Sequence, residues 1–248
     1  PCMNAVVTKY HAVRNRLLDK LESMGPGAQL PSERDLSREF GVSRMTIRRA
    51  TEELVATGVV QRKKGAGVFA AGPKVHTPLA STTFSENMRA RGLRPGTLVL
   101  SFDHRPAGPR IGRRLEISPN AHVVVAVRLR LADDEPMSIE EIYLPAALVP
   151  GIAREDLEGS CYDYLRLQHG VEFAGGVQTI EPTVTDQEES RELGVPLHSP
   201  ALLVERTTRD GNGRVVEFDR SVFRGDRYLI RNELAVPQHP PYLTGASR

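Results

Sequence analysis

"LPSERDLSREFGVSRMTIRRA", residues 30–50, decides the architecture of the first third of the chain. Ser32 and Ser43 are of the type that favours the position just before a helix, where a short hydroxyl accepts a hydrogen bond from an unpaired N–H of the first turn. Asp35, three residues after Ser32, completes a capping-box pattern, and Leu36 and Phe40 give that helix an apolar side. Gly41 stops it after two turns. Ile47, Ala50 and Leu54 then recur at helical spacing, so they face inward while Met45, Arg48, Arg49 and Glu52 face out. Two short helices joined by a tight Gly41-Val42 turn make a helix-turn-helix pattern.

The flanks extend this reading. Upstream, Tyr10, Val13, Leu17, Leu21 and Met24 lie on one face of a helix that "GPG" at Gly25–Gly27 ends. Downstream, "GVVQRKKGAGVFAA" predicts two short strands, Val59–Arg62 and Val68–Ala70, around a basic glycine-containing tip. Such a hairpin is a wing: Lys63 and Lys64 project beside the exposed face of the third helix, and Gly65 and Gly67 let the backbone approach a groove. A hairpin that merely covers the helices, with lysines for solubility, is the plainer alternative.

Charge separates the chain in the same place. Residues 1–72 hold 12 Lys and Arg against 7 Asp and Glu, and the remaining 176 residues hold 21 against 24, so the overall charge of +2 hides a basic front and a slightly acidic remainder. A basic front suits a polyanionic partner, although an excess of this size also occurs on ordinary solvated faces. A length of 248 residues predicts two domains. Residues 1–72 are read as the first, "AGPKVHTPLAS" at 71–81 as the core of a linker spanning 73–82, and 83–248 as the second domain. No apolar run reaches the roughly 20 residues of a membrane span and no secretory signal is visible, which predicts a soluble cytoplasmic protein with no membrane partner. Cys2 and Cys161 match neither a disulfide framework nor a zinc spacing.

The first domain closely resembles the winged helix-turn-helix of the GntR family of bacterial transcription regulators, through its Leu-Pro-Ser-Glu-Arg start, its "VSRMTIR" recognition helix and its "GAGVF" wing. The resemblance implies operator DNA as partner and contacts from Arg34, Ser43, Arg44, Thr46, Arg48, Lys64 and Gly65. Met45 stands where the family commonly has threonine. The chemistry agrees with these positions: arginines grip phosphates or pair bidentately with guanine, and the first residues of a recognition helix lie nearest the base edges.

In the second domain, "HVVVAVRLRLADDEPMSIEEIYLP" is the informative stretch. Residues two apart in a strand share a face, so Val125, Val127, Leu129 and Leu131 form an apolar side, while Val124, Ala126, Arg128, Arg130 and Ala132 form the other. Two arginines among small apolar neighbours need partners. Glu140 or Glu141 on the returning strand supplies a salt bridge, and a bound anion is the alternative. Further on, Gln178–Val184 is extended, a short helix over Asp186–Leu193 is capped by Thr185 or Asp186, and Ala201–Arg209 turns through "GNG" into Val215–Phe223. Hairpins with interspersed helices predict an α+β domain on an antiparallel sheet.

This domain resembles the UTRA effector-binding domain of the HutC branch of the same family, whose fold is shared with chorismate lyase. The motifs are "TTFSENMRARGL" (82–93), "RLRLADDEPMSIEEIYLP" (128–145), "GSCYDYL" (159–165) and "RVVEFDRSVFRGDRY" (214–228). The resemblance implies dimerisation through this domain and a small anionic effector: in branch members that bind phosphorylated amino sugars, Thr83, Phe84, Ser85, Arg128 and Arg130 correspond to the positions that hold the anion. Glu140, Ser160, Tyr162 and Glu217 correspond to those that recognise the remainder. Cys161 replaces the usual leucine and Phe223 a common tyrosine. Together the two resemblances imply a ligand-responsive repressor of uptake or catabolic genes, its effector an amino-sugar phosphate, or a phosphonate or inorganic phosphate. An enzymatic lyase-like domain and a non-sensing dimerisation scaffold are the alternatives. None of the seven histidines falls in a metal motif, and no nucleophile elbow, phosphate loop or dinucleotide fingerprint occurs, so neither catalysis nor a cofactor is expected.

Overall fold

The first helix, α1 (Cys2–Met24), ends where Gly25 takes φ +78° and returns its N–H to Leu21 O, as the "GPG" punctuation predicts. This computed structural model describes residues 2–63, 65–72, 74–78 and 83–231. In α2 (Glu33–Phe40) the Ser32 hydroxyl accepts from Asp35 N–H and donates to the Asp35 carboxylate, and Gly41 closes the helix in the left-handed region. Ser43 caps α3 (Arg44–Ala56) in the same way through Thr46 N–H. Val13, Leu17 and Leu21 of α1 pack with Leu36, Phe40, Ile47, Ala50 and Leu54 into one cluster. Strands β1 (Val60–Lys63) and β2 (Gly67–Ala70) pair antiparallel as the wing. Gln29 braces its tip by donating to Ala66 O at 2.7 Å. Lys64 lies outside the described residues.

The stretch expected to be a linker contains a strand, β3 (Val75–Pro78). It is followed by α4 (Phe84–Arg89), β4 (Pro95–Pro106), α5 (Gly108–Leu115), β5 (His122–Ala132), β6 (Glu135–Pro145), α6 (Cys161–His169), β7 (Phe173–Val184), α7 (Gln187–Leu193), β8 (Pro200–Asp210), β9 (Val215–Arg224) and β10 (Tyr228–Arg231). Six strands form an antiparallel sheet in the order β4-β5-β6-β9-β8-β7, while β3 pairs in parallel with β10 as a separate ribbon. Asp186 caps α7, and Thr185 turns its hydroxyl to Pro196 O. Asp133 and Asp134 both take positive φ in the β5–β6 turn, a conformation that aspartate tolerates better than most residues.

The two faces of β5 differ from expectation in burial. Val123 and Val125 pack under α5 with Tyr143 and Phe218, but Val127 and Leu131 further along that apolar side are only half-buried. The side that carries the arginines is the more enclosed one: Val124 and Ala126 lie under α6 with Ile142, Leu144, Leu157 and Leu165, and Arg128 and Arg130 continue this face at 2% and 3% exposure. Helices α4 and α6 contribute to the enclosure at that end.

The two domains touch. Gly58, just beyond α3, lies so close to the turn between β9 and β10 that a Cβ added there would stand 2.1 Å from Asp226 O. Lys74 donates to Gly225 O of the same turn at 2.6 Å. For the first domain we predict that Leu17→Ala, which empties a fully buried position of the three-helix cluster, lowers stability by about 2–5 kcal/mol in a denaturant titration. A loss within about 0.5 kcal/mol would contradict this packing of α1.

Candidate nucleic-acid interface and effector cavity

Arginines of the third helix and the wing gather around one acid of the first domain. Glu33, at the start of α2, accepts from Arg48 Nε at 3.2 Å and from Arg48 Nη2 at 2.8 Å. That hydrogen bond, with the nearby charges of Arg48, Arg62 and Arg44, holds the Glu33 carboxyl below the ordinary carboxylate range. Recognition-helix and wing arginines therefore converge on one side of the domain. Arg48 is held in place by Glu33, a partner that the outward-facing pattern of α3 did not reveal. Arg34 and Arg44 are exposed, and Ser43 and Thr46 share a 2.8 Å hydroxyl contact at the start of α3. Gly65 takes φ +74° at the wing tip, a region that favours glycine. Met45 is 67% exposed on the same helix.

In the second domain the strand registers assemble a cavity on the enclosed face of the sheet. Arg128 lies opposite Glu140 in the β5–β6 pairing, and Nη2 of Arg128 meets the Glu140 carboxylate at 2.5 Å. Arg130 Nη1 reaches the same oxygen at 3.6 Å. One carboxylate thus serves two buried guanidinium groups. Arg128 also donates to Leu157 O and Gly159 O, and Arg130 to Ser85 Oγ at 3.1 Å, with its guanidinium 4.8 Å from the Phe84 ring centroid. The Nε of each arginine is buried without a hydrogen-bond partner. Such orphaned donors cost about 1–3 kcal/mol each, more when charged. Burial and then the charge of Arg128 bring Arg130 down to about 10. Burial alone would raise the Glu140 carboxyl, but the two arginines outweigh it and hold it low.

The structure gathers all nine expected residues of this domain around that face, eight of them directly lining the cavity. Thr83 caps α4 in a reciprocal capping box with Glu86, and Ser160 caps α6 through Asp163 N–H, so both hydroxyls also hold helix starts. Tyr162 donates to Glu217 at 2.6 Å and packs against Phe173 with the two rings tilted by 38°. Glu217, the ninth, sits behind Tyr162. The sequence reading missed Asn87, Arg206, Asp219, Ser221 and Tyr228, which line the cavity with Phe223 and Cys161. A signal for part of this set was available: Glu217, Asp219 and Ser221 alternate along β9, the same period of two that singled out Arg128 and Arg130. Cys161 is fully enclosed, and burial pushes its thiol up, away from reactivity. The space enclosed is about 50 Å³, room for a few water molecules.

The cavity is physically continuous with the domain contact. Phe223 and Tyr228 stack at 4.2 Å in its wall, and the turn at 225–227 between them abuts Gly58. Arg224 locks that turn by gripping Asp226 through Nε and Nη2 and by donating to Pro136 O. Arg227 pairs with Glu135.

Comparison with known proteins places both halves. Residues 9–70 match the family described as "Bacterial regulatory proteins, gntR family", and residues 90–229 match the UTRA domain. The chain is 33% identical over 224 residues to the HTH-type transcriptional repressor NagR of Bacillus subtilis, covering 89% of this chain and 92% of that one. It is 31% identical over 222 residues to the HTH-type transcriptional repressor PhnF of Mycolicibacterium smegmatis, covering 89% and 90%. The crystal structure of PhnF from Mycobacterium smegmatis superposes with a TM-score of 0.65 at 30% identity, covering 90% of this chain and 99% of that one. Capped helix-turn-helix, basic wing and enclosed antiparallel sheet thus coincide with family matches across nearly the whole described chain: it belongs to the gntR family of bacterial transcription regulators, in the HutC-like branch that carries a UTRA domain.

Proposed function

We propose that this regulator is a cytoplasmic repressor and not an enzyme. In this reading a homodimer holds a pseudo-palindromic operator and releases it when a small anionic metabolite occupies the sheet cavity. The observation that carries the anion is the positive end of the cavity, where Arg128 and Arg130 share one carboxylate and each keeps an unpartnered buried Nε–H. Planar guanidinium forks suit phosphate, phosphonate or carboxylate oxygens, and Ser85 and Thr83 add hydroxyls beside them. An amino-sugar phosphate, a phosphonate and inorganic phosphate are the preferred ligand classes. Glu140, Ser160, Tyr162 and Glu217 are assigned to the remainder of the ligand. A dimer is required because one winged helix reads one half-site, and its partner must be held at fixed spacing.

On the DNA side, Arg34, Ser43, Arg44, Thr46 and Arg48 with Lys64 and Gly65 of the wing are assigned to the operator. Mobility shifts at several salt concentrations should show Arg48→Ala weakening specific binding. Lys64→Ala should weaken binding to any sequence and reduce the salt slope by about one, as loss of one phosphate contact requires. Unchanged affinity in both variants would overturn this placement of helix and wing.

Release follows from the small size of the cavity. An occupant larger than a few waters must shift its walls, and one wall is the Phe223–Tyr228 stack, whose connecting turn abuts Gly58. A ligand that lowers operator affinity is itself bound less tightly by the DNA complex, by the same factor, typically about 5- to 150-fold. Arg128→Ala should keep operator binding and lose release by the anion, read by calorimetry and mobility shift with glucosamine 6-phosphate, phosphonates and phosphate. A normal response in that variant would make the arginine pair a structural salt bridge. Chemical conversion of a probe during incubation would instead mean an enzyme, and absence of any binding a scaffold.

The domain contact has its own test. Gly58→Ala places a Cβ against the Asp226 backbone at a residue with φ +71°. It should leave the effector's affinity for the DNA-free protein within about twofold, because it alters no residue that lines the cavity, but change the effector concentration needed for release from DNA at least about fivefold. An unaltered release curve would remove the turn from the pathway.

A further inference from the structure

The cavity has two ends of opposite sign. Side chains on its floor fall into rows fixed by the strand registers: Arg130 with Ser138 and Phe223, then Arg128 with Glu140, Ser221 and Val204, then Ile142 with Asp219 and Arg206, then Glu217 with Thr208. At the first end, Arg128 and Arg130 face one carboxylate, Glu140. At the other, Glu217 and Asp219 face one guanidinium, Arg206. All three acids and the two strand β5 arginines are largely or wholly buried, so water screens little of this imbalance.

Asp219 is the less fully satisfied acid of the negative end. Glu217 already accepts from Tyr162 at 2.6 Å and from Thr208 at 3.1 Å. Arg206 lies directly across from Asp219 in the β8–β9 register, but its Nε and Nη2 both go to Gln178 Oε1 on β7, at 3.0 and 2.6 Å. Asp219 accepts from Ser221 Oγ at 3.1 Å, is 7% exposed and lines the cavity. Burial, followed by the charges of Glu217 and Glu140, pushes its carboxyl well above the ordinary range. At the opposite end, burial and a like charge depress Arg130. An occupant that carries both charges relieves both ends together, whereas a plain anion relieves one.

From this charge layout we infer that the effector is amphoteric: its anionic group sits at the Arg128–Arg130 end, and a primary ammonium group that it also carries is bound by the Asp219 carboxylate. Two strand spacings and one row separate the backbones of Arg128 and Asp219 by about 12 Å. With both side chains reaching into the cavity, the charges to be bridged are a few bonds apart, the scale of a two- to six-carbon skeleton. Asp219 is a specificity-determining residue in this assignment, and Ser221 positions it. The inference rests on the anion-sensor reading and narrows it.

The test compares matched pairs by calorimetry on the full-length chain: 2-aminoethylphosphonate against ethylphosphonate, and glucosamine 6-phosphate against glucose 6-phosphate. In whichever pair binds, the ammonium-bearing member should bind about 10- to 100-fold more tightly, the range of a buried charge-assisted hydrogen bond. Asp219→Asn, nearly isosteric and free of the buried acid, should erase that preference while the ammonium-free member binds within about threefold of wild type. Equal binding within the pairs by wild type, or a preference that survives in the variant, overturns the inference and leaves the anion reading standing. If none of the four probes nor inorganic phosphate binds wild type, both fall. Should the variant not fold, the wild-type comparison still decides whether the effector carries the ammonium group.

Discussion

A single carboxylate holding two buried arginines is the constraint on which the second domain depends. Unpaired guanidinium groups at 2% and 3% exposure would be prohibitive in a sheet interior, and Glu140 makes them tolerable by facing Arg128 in register and reaching Arg130 diagonally. Apolar residues of similar volume would fill the same space with no such compromise. The compromise is also incomplete, because both Nε–H groups stay unpartnered. A partly satisfied polar cluster in an otherwise well-packed domain is the kind of local inconsistency that marks a functional site.

The connection of that cluster to the first domain is short, made by close packing and hydrogen bonds. Phe223 and Tyr228 belong to the cavity wall, Arg224 and Asp226 tie the intervening turn, and Gly58 at the end of the recognition helix leaves room for its backbone. Strand β3 follows the DNA-binding domain and pairs with β10, so the chain leaving the first domain is hydrogen-bonded to the strand that leaves the turn. Two routes thus join one small loop to the orientation of the winged helix. A change of a few tenths of an ångström in the aromatic stack has little slack to absorb it, because packed interiors deform by discrete rearrangement and not by yielding.

Much of this was legible in the sequence because the signals were local. Ser32, Gly41 and Ser43 act within four residues of their own positions, and the structure places all three as caps. Arg128 and Arg130 stood out because charge on alternate positions of an apolar strand is rare; the sequence left Glu140 and Glu141 open as partners, and the β5–β6 register selects Glu140. What escaped notice depends on long-range register. Asp219 enters the cavity because β9 lies beside β6, which no hairpin dictates, and Arg206 because β8 then follows it. The strand at 75–78 escaped for the same reason, since its parallel partner lies some 150 residues away, and parallel pairing leaves no turn signature. Glu33 looked like the ordinary acid of a helix first turn, and its grip on Arg48 needed the angle between α2 and α3.

The central claim is that the cavity and the winged helix are one mechanical unit. Hydrogen exchange on the full-length protein, with and without a saturating anion established by calorimetry, reads this at single backbone amides. The informative positions are Gly225, whose N–H is bonded to Pro200 O, and Gly58 and Val59, whose N–H groups are bonded to Val55 O and Leu54 O. The account predicts that exchange at the turn and at Gly58–Val59 changes together when the anion binds. A response confined to the cavity strands, with Gly58 and Val59 unaltered, would contradict it.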